Sequence, residues 1–267
     1  MKTLRRYGRL YRVFVAQFFK FIMQSKTDFW IGLAGFFLTQ ISGIAFLYLV
    51  FEQIPMLSGW SLDQLIFIYG FAQIPRGIDH LLTDNIWLLA WQFVVNGKFD
   101  QYMLRPMDLF LQVIFEKLQP DALGELLVGT LLIIISFGKG IVIFDAVHVL
   151  MFIVSVIAGA VIYTAIKLLF ASFAFWIKIS GPVLYTAYIT ADFAKYPSEI
   201  YAKGVRFLIT WVIPFAFVAY LPASYFLNPQ VSALSTIGVE CILAVIFFAI
   251  AYGVFCLGTR SYESAGN

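Results

Sequence analysis

The sequence of residues 97–108 is Gly97-Lys98-Phe99-Asp100-Gln101-Tyr102-Met103-Leu104-Arg105-Pro106-Met107-Asp108. A glycine, a proline, two basic residues and two acids fall together here, in a chain otherwise rich in long apolar runs. Irregular backbone is not tolerated against lipid, because each unpaired N–H or C=O group costs several kcal/mol. The stretch therefore lies in water or against another protein, and we interpret it as an elbow on the cytoplasmic side of a membrane.

The composition indicates that the rest of the chain lies in the membrane. Of its 267 residues, 61% are hydrophobic and 12% are charged, whereas soluble domains have about 45–50% apolar and about 25% charged residues. A span needs about 20 apolar residues. The chain therefore has room for about six spans in one all-α integral membrane domain that covers residues 1–267.

Basic residues are concentrated before the first apolar run. Seven of the 18 Lys and Arg residues precede it: Lys2, Arg5, Arg6, Arg9, Arg12, Lys20 and Lys26. Positive charge near a span marks the cytoplasmic side, and apolar residues recur at helical spacing between Leu4 and Ile22. Residues 1–28 are therefore predicted to form a basic amphipathic helix in the membrane interface. Their many Phe and Tyr residues argue against an arm that binds nucleic acid.

The apolar runs and the charges between them give an order of spans. We predict six membrane spans at residues 29–51, 62–78, 123–137, 146–177, 180–193 and 235–257. The elbow, residues 79–119, separates the second span from the third. Within it Gly97 ends one helical piece and Pro106 begins the next in its first turn. Asp108, Gln112 and Glu116 then share one helix face.

Two models fit residues 178–227. In one, residues 178–206 are cytoplasmic and 207–227 form the whole fifth span, which keeps Lys195, Lys203 and Arg206 inside as the charge rule prefers. In the other, 180–193 form the fifth span. Residues 196–227 then dip into the membrane from outside and return, broken at Pro214 and Pro222. Such a hairpin needs protein or a water-lined cavity around it.

Four polar residues stand at the inner end of the second span. Arg76 and His80 are four positions apart, as are His80 and Asp84, so they share a helix face with Asp79 beside them. One interpretation is a proton relay or gate. The plainer one, which we favour, is a paired polar cluster at the cytoplasmic membrane surface.

The sequence carries no motif for catalysis or for metal binding. Gly124 and Gly129 have the glycine spacing of a nucleotide-binding loop, but Thr130 follows where lysine is required. His80 and His148 lack the spacing of a zinc site, and no G-x-S-x-G elbow is present. We therefore expect no enzyme activity, bound metal or cofactor in this chain itself.

Two sets of residues resemble a known family. The run Gly97-Lys98-Phe99-Asp100, Leu104-Arg105-Pro106, Asp108 and Leu111, between a second and a third span, is similar to the signature of bacterial type-2 ABC-transporter permeases of the exporter group. A second set fits as well: Phe175-Trp176, Tyr196-Pro197, Ile200-Tyr201, Arg206, Ile213-Pro214-Phe215 and Tyr220-Leu221-Pro222-Ala223. The likeness extends over essentially the whole chain.

This resemblance implies a half-transporter of six spans in the bacterial inner membrane, with both termini in the cytoplasm. Its partners would be a second permease, identical or homologous, two copies of a separate ATPase subunit that bind ATP and Mg²⁺, and membrane lipid. The elbow would couple to the ATPase through Gly97, Asp100, Leu104, Arg105, Pro106, Asp108, Gln112 and Glu116. Residues 196–227 would form the outer re-entrant segment, with Tyr196, Pro197, Pro214 and Pro222 at an outer gate. The resemblance thus favours the second model, although it places Lys195, Lys203 and Arg206 outside.

The expected function is the permease subunit of an ATP-driven exporter. It would move an amphipathic drug, peptide or lipid-like substrate by alternating access, because the spans offer apolar and aromatic surface and few charges. The alternative is a proton-coupled secondary transporter or channel that uses Arg76, Asp79, His80 and Asp84. Such a transporter would work when reconstituted alone, whereas a permease would be inert without its ATPase.

Overall fold

The structure, a computed structural model, describes residues 26–142 and 145–264. These residues are helical and contain no β-strand; their only β-type pairing is an isolated bridge between Leu57 and Trp60. The predicted interface helix at residues 1–28 lies outside the described residues except for 26–28, which begin the first helix.

The helices follow one another with short connections. In chain order they are α1 Lys26–Gln53, α2 Leu62–Thr83, α3 Ile86–Leu88, α4 Asp100–Met103, α5 Leu109–Phe115, α6 Leu123–Gly138, α7 Ala146–Ser172, α8 Ala174–Ile177, α9 Gly181–Ile189, α10 Lys203–Phe207, α11 Tyr220–Leu227 and α12 Val239–Arg260. Turns of 3-10 or π-helix extend or join them at Leu89–Phe93, Pro120–Ala122, Thr190–Lys195, Ser198–Ile200, Leu208–Val212, Phe215–Phe217 and Leu234–Gly238.

Four helical stretches of the described chain are long and apolar enough to cross a membrane: Phe29–Gln53, Pro120–Gly138, Ala146–Ile177 and Leu234–Arg260. A fifth is reached if Lys203–Val212 and Phe215–Leu227, which are bent by 71° from each other, count as one span. Neither α2, which carries several charged residues, nor α9, which has nine residues, is among them. The count of six spans therefore stays a prediction.

Side chains that cap the helices explain where two of the long ones begin. At the start of α2, the Ser61 hydroxyl accepts from the Gln64 backbone N–H while the Gln64 side chain accepts from Ser61, which forms a capping box. At the start of α7, Asp145 accepts from the backbone N–H of His148 at 2.9 Å. Such caps satisfy N–H groups that have no partner within the helix.

Helix α2 lies at the centre of the fold, against both α6 and α7. Phe67 and Phe71 are completely buried. Where α2 crosses α6, a Cβ atom on Gly70 would come within 2.6 Å of the Leu132 Cβ, and one on Gly129 within 3.0 Å of the Gly70 carbonyl oxygen. Small residues at such a crossing let two helices approach closely within a membrane.

The bent segment Lys203–Leu227 and the residues before it lie near the connection between α1 and α2 at two points. Ile200 and Tyr201, just before the segment, line one cavity together with Leu57. Tyr220, at the start of α11, packs against Trp60 with ring centroids 5.7 Å apart. Between these points Phe215 reaches Tyr163 in α7, at 5.2 Å.

Prolines act differently at the two expected breaks of this segment. The backbone at Pro214, with φ −72° and ψ 48°, separates its two arms. Pro222 was expected to break the segment as well, and this expectation is wrong. It lies in the first turn of α11, where the N–H that proline lacks would have no helical partner.

Candidate functional site

The chain reverses its direction within the elbow. After α3 and the turn Leu89–Phe93, Gly97 adopts φ +66°, a conformation that favours glycine over any residue with a Cβ. The backbone N–H of Phe99 then donates to the Phe93 carbonyl at 3.0 Å. Gly97 therefore allows the turn for which it was singled out.

Buried polar contacts hold α4 against α5. Gln112 is buried, and its side-chain NH₂ donates to the carbonyl oxygens of Tyr102, at 3.1 Å, and Met107, at 2.9 Å. The Tyr102 hydroxyl donates to the Glu116 carboxylate. These two predicted coupling residues thus face into the elbow and fix its shape.

The start of α5 differs from the sequence-based expectation. Pro106 does not begin the helix; it lies in the connection between α4 and α5, and Asp108 is the capping residue instead. The Asp108 carboxylate accepts from the backbone N–H of Leu111 at 3.0 Å and from the Tyr252 hydroxyl of α12 at 3.1 Å. At a helix start several backbone N–H groups have no partner within the helix. A carboxylate cap accepts a hydrogen bond from such a group, whereas a proline would only remove one of them.

The tip of the elbow, residues 103–106, is exposed. Leu104 is 85% exposed and Met103 50%. Arg105, also exposed, lies 5.8 Å from the centre of the Tyr102 ring and forms no ion pair among the described residues. Asp100, behind the tip, accepts a hydrogen bond from Ser264 at 2.6 Å. The tip therefore presents apolar and cationic surface on a braced support.

The other side of the elbow contacts the start of α9. The backbone N–H of Ser180 donates to the carbonyl oxygen of Ala90 at 2.9 Å. Next to this bond, a Cβ on Gly181 would overlap the indole ring of Trp91. Tryptophan and glycine thus pack without a gap, and a movement of the elbow would be transmitted to α9.

The ionisation of Glu116 is shifted by its surroundings. Its partial burial raises the pKa of the carboxyl group, and the nearby Lys98 acts in the opposite direction. The neutral acid is therefore favoured more than it is for a glutamate in water.

The four polar residues at the end of α2 belong to a larger charge cluster that is buried at its centre and about half exposed at Asp121 and Asp192. Its members are Arg76, Asp79, His80, Asp84, Asp121, Glu125, Lys167, Asp192 and Lys195.

Its innermost part joins α2 to α7. The Lys167 Nζ atom lies 2.8 Å from Asp79 and 3.1 Å from Asp84, and the side chains of Lys167 and Asp79 are completely buried. Asp79 also accepts hydrogen bonds from the hydroxyls of Thr164, at 2.9 Å, and Tyr188 in α9, at 3.0 Å.

The outer parts of the cluster join α2 to α6 and to the turn Thr190–Lys195. Arg76 lies 2.8 Å from Asp192 and 3.6 Å from Glu125. His80 lies 3.5 Å from Glu125 and 3.7 Å from Asp84. The predicted pairing of His80 with Asp84 is therefore present, whereas Arg76 and His80 are linked only through Glu125.

This geometry changes the interpretation of the four residues. They are paired, as the plainer hypothesis states, but they are packed between helices rather than spread over a surface, and Asp79 is only 1% exposed. The sequence-based prediction missed Lys167, Glu125 and Asp192. A lone lysine in the apolar run 146–177 was a signal for Lys167, because an ionisable residue inside a span needs a partner.

A cavity of about 430 Å³ lies between α1 and the segment that follows α9. Its lining is mostly apolar and aromatic and includes Tyr196, one of the predicted gate residues: Phe46, Leu47, Val50, Leu57, Asp192, Phe193, Tyr196, Ile200 and Tyr201. Pro197 is buried beside it. This volume lies within the range of ligand sites, about 300–1,000 Å³.

The described residues offer no metal site, since no group of three or more His, Cys, Asp or Glu side chains is arranged to hold an ion. The model of the ABC-2 family transporter proteins matches residues 37–266. No curated protein and no solved structure matches the chain.

Proposed function

The chain belongs to the ABC-2 transporter family, and from this premise we propose that it is the membrane permease of an ATP-driven exporter. Permeases of this family normally work with an ATPase subunit. In our proposal two permease subunits, identical or homologous, and two ATPase subunits assemble in a bacterial inner membrane, with ATP and Mg²⁺ bound by the ATPases.

The observation that carries the proposal is the tip of the elbow. A leucine that is 85% exposed next to an arginine without an ion pair among the described residues is typical of an interface, where an apolar anchor lies beside charged groups. The support behind the tip is braced by Gln112 and Glu116. We therefore propose that Leu104, Arg105 and Pro106 contact the ATPase, while Gln112, Glu116 and Asp108 keep the tip in shape.

The elbow is also connected to the parts that would form the pathway. It contacts α9 through Trp91 and Gly181 and α12 through Asp108 and Tyr252. In the proposed cycle, ATP binding brings the ATPases together, the two elbows move, and α9 moves with them. An ATP-bound state shifts this equilibrium only by its differential affinity for the two conformations.

The lining of the cavity beside α1 supports the proposal of an amphipathic substrate. Its walls are aliphatic and aromatic, and Asp192 is its one charged lining residue. We propose that residues 196–227 form an outer re-entrant segment above it, because the chain just before the bent segment and Tyr220 in its second arm both lie near the connection Leu57–Trp60.

The coupling proposal is tested by Leu104→Asp and Arg105→Ala. Truncating a residue at the centre of an interface costs about 2 kcal/mol or more, so both variants are expected to insert normally and to retain at least tenfold less ATPase in a pull-down. Met56→Asp is the matched control, since Met56 is 61% exposed in the connection between α1 and α2. Parent-like ATPase retention by both elbow variants would refute the coupling role.

The alternative, a proton-coupled transporter, has a different test. The protein reconstituted alone with a pH gradient would move substrate if the charge cluster were a relay. We expect no transport without the ATPase, because the cluster residues pair with one another across helices, which suits a structural link between helices.

A further inference from the structure

Helix α12 carries a carboxyl group that takes no part in the charge cluster. Glu240 lies in the first turn of α12 and is 0% exposed. Among the described residues its one hydrogen bond comes from the Ser155 hydroxyl of α7, at 2.5 Å, which lies within the usual range for O–H···O bonds. The other carboxyl oxygen, Oε1, has no hydrogen-bond partner.

A glycine leaves a gap beside this oxygen. A Cβ atom on Gly159 of α7 would lie 3.3 Å from Glu240 Oε1, 3.2 Å from the carbonyl oxygen of Val218 and 3.0 Å from the Cβ of Pro75. The missing side chain thus lets the carboxyl oxygen and the carbonyl oxygen border the same small space.

The Val218 carbonyl oxygen accepts no hydrogen bond among the described residues. Val218 precedes Ala219, the residue that caps α11, so its carbonyl lies outside the helical bonding pattern. The residue four positions later, Pro222, has no N–H to donate to it. Two buried oxygens that both need a donor therefore border one gap, and buried polar groups are as a rule hydrogen-bonded.

Among the described residues Glu240 forms no ion pair. The groups placed beside it from α7, α2 and the bent segment include Ser155, Gly159, Pro75 and Val218, none of which is ionisable. On its own helix the adjacent residue is a thiol, Cys241. An ionised carboxylate buried without a cation is strongly unfavourable, and a second acceptor beside it would add repulsion.

We propose that Glu240 is a proton-binding site inside the membrane domain, with the proton on Oε1 donated in a hydrogen bond to the carbonyl oxygen of Val218. One proton would thus give both Glu240 Oε1 and the Val218 carbonyl oxygen a hydrogen bond. A metal cation fits less well, because hard cations take about six or more oxygen ligands.

This proton would link α12 to the second arm of the bent segment. Loss of the proton would leave a bare carboxylate in apolar surroundings, so Glu240 releases it only when the arm moves and water enters. The position of the arm and the binding of the proton are then coupled, and each must bias the other to the same extent.

Infrared spectroscopy of the full chain tests this directly. The parent is expected to show the C=O stretch of a protonated carboxylic acid at neutral pH, and Glu240→Gln should remove it. Glu199→Gln is the matched control, because Glu199 is exposed and lies 3.4 Å from Arg206; it should leave that band unchanged. Ser155→Ala should shift the same band, which identifies it even if Glu240→Gln folds poorly.

A second measurement concerns stability. Glutamine keeps a donor at the position of the protonated oxygen, so Glu240→Gln should match the parent's thermal midpoint near pH 4, below the unfolded pKa of about 4.3. As the pH rises from there to alkaline values, the variant should lose less of its midpoint than the parent. If the parent shows no acid band at neutral pH that Glu240→Gln removes or Ser155→Ala shifts, the proposal is overturned. A parent and a Glu240→Gln variant with the same alkaline pH profile would overturn it as well.

Discussion

Lys167 and Asp79 form a 2.8 Å ion pair in which both side chains are 0% exposed. Lys167 comes from α7 and Asp79 from the last turns of α2, where the elbow begins. Withdrawing two charges from water is costly, and their attraction offsets this only where geometry is good and further hydrogen bonds are made. Here Asp79 accepts from the hydroxyls of Thr83, Thr164 and Tyr188. The pair therefore fixes α2 to α7 at the root of the elbow.

Lys167→Met should destabilise the protein strongly. The substitution leaves Asp79 buried without its cation, and breaking a buried pair in this way costs about 3–5 kcal/mol. Denaturant unfolding in detergent micelles measures the loss. Lys167→Met combined with Asp79→Leu should recover part of it, because no uncompensated charge then remains at residue 79.

Lys139→Met is the matched control for Lys167→Met. Lys139 pairs with Asp63 at 2.5 Å, but both side chains are more than 40% exposed, and exposed pairs contribute about 0–1 kcal/mol. If Lys167→Met unfolded at the same denaturant concentration as Lys139→Met, the buried pair would not be the link between α2 and α7.

The side of the membrane that Tyr201 faces decides between the two models of residues 178–227. Tyr201 lines the cavity together with Val50 and Leu57. In a background with Cys241 and Cys256 replaced by serine, Tyr201→Cys should react with a membrane-impermeant thiol reagent added outside cells. Arg105→Cys should react only after permeabilisation. The reverse pattern at residue 201 would support a cytoplasmic connector instead of a re-entrant hairpin.

The stability of the elbow should depend on pH because of Glu116. Its pKa is raised in the folded protein, so its contribution to stability is present below the unfolded pKa, about 4.3, and is lost as pH rises through the folded value. Glu116→Gln should remove this slope, provided that glutamine still accepts from the Tyr102 hydroxyl. Hydrogen exchange of residues 100–116 between pH 4 and 7 measures it. An equal slope in the parent and in Glu116→Gln would show that another group is responsible.

The starts of two long helices could be predicted from the sequence, because they depend on local signals. Helices α2 and α7 begin directly after the polar caps Ser61 and Asp145, at the residues where the sequence places the starts of two apolar runs. The re-entrant geometry was one of two models for residues 178–227, since charge placement favours a cytoplasmic connector and the family resemblance favours the re-entrant segment.

The charge cluster could be predicted only in part. His80 and Asp84 are one helical turn apart, so their contact follows from spacing, whereas Lys167 meets Asp79 only because α7 packs against α2. The wrong predictions for two prolines have a related cause, because proline fits several positions near a helix start. For Pro106 the position depends on Asp108, which caps α5. For Pro222 it depends on the packing of α11.

The contact between Trp91 and Gly181 offers the sharpest test of how the elbow acts on the pathway. A Cβ on Gly181 would overlap the indole ring, so Gly181→Ala should force the two elements apart and cost about 1–3 kcal/mol through overpacking. Trp91→Leu makes room, and the double variant should be more stable than the sum of the two single changes predicts. Gly204→Ala is the matched control, because nothing lies within 4 Å of its Cβ position.

The same variants separate coupling from stability. Ser180 and Ala90 are hydrogen-bonded beside this contact, so α9 should follow the elbow only while the packing is tight. Gly181→Ala is therefore expected to retain the ATPase in a pull-down but to lose substrate-stimulated ATP hydrolysis, and Trp91→Leu in the same chain should restore part of it. If Gly181→Ala kept full stimulation, the elbow would have to act through another contact, and the ion pair of Lys167 with Asp79 would be the next to test.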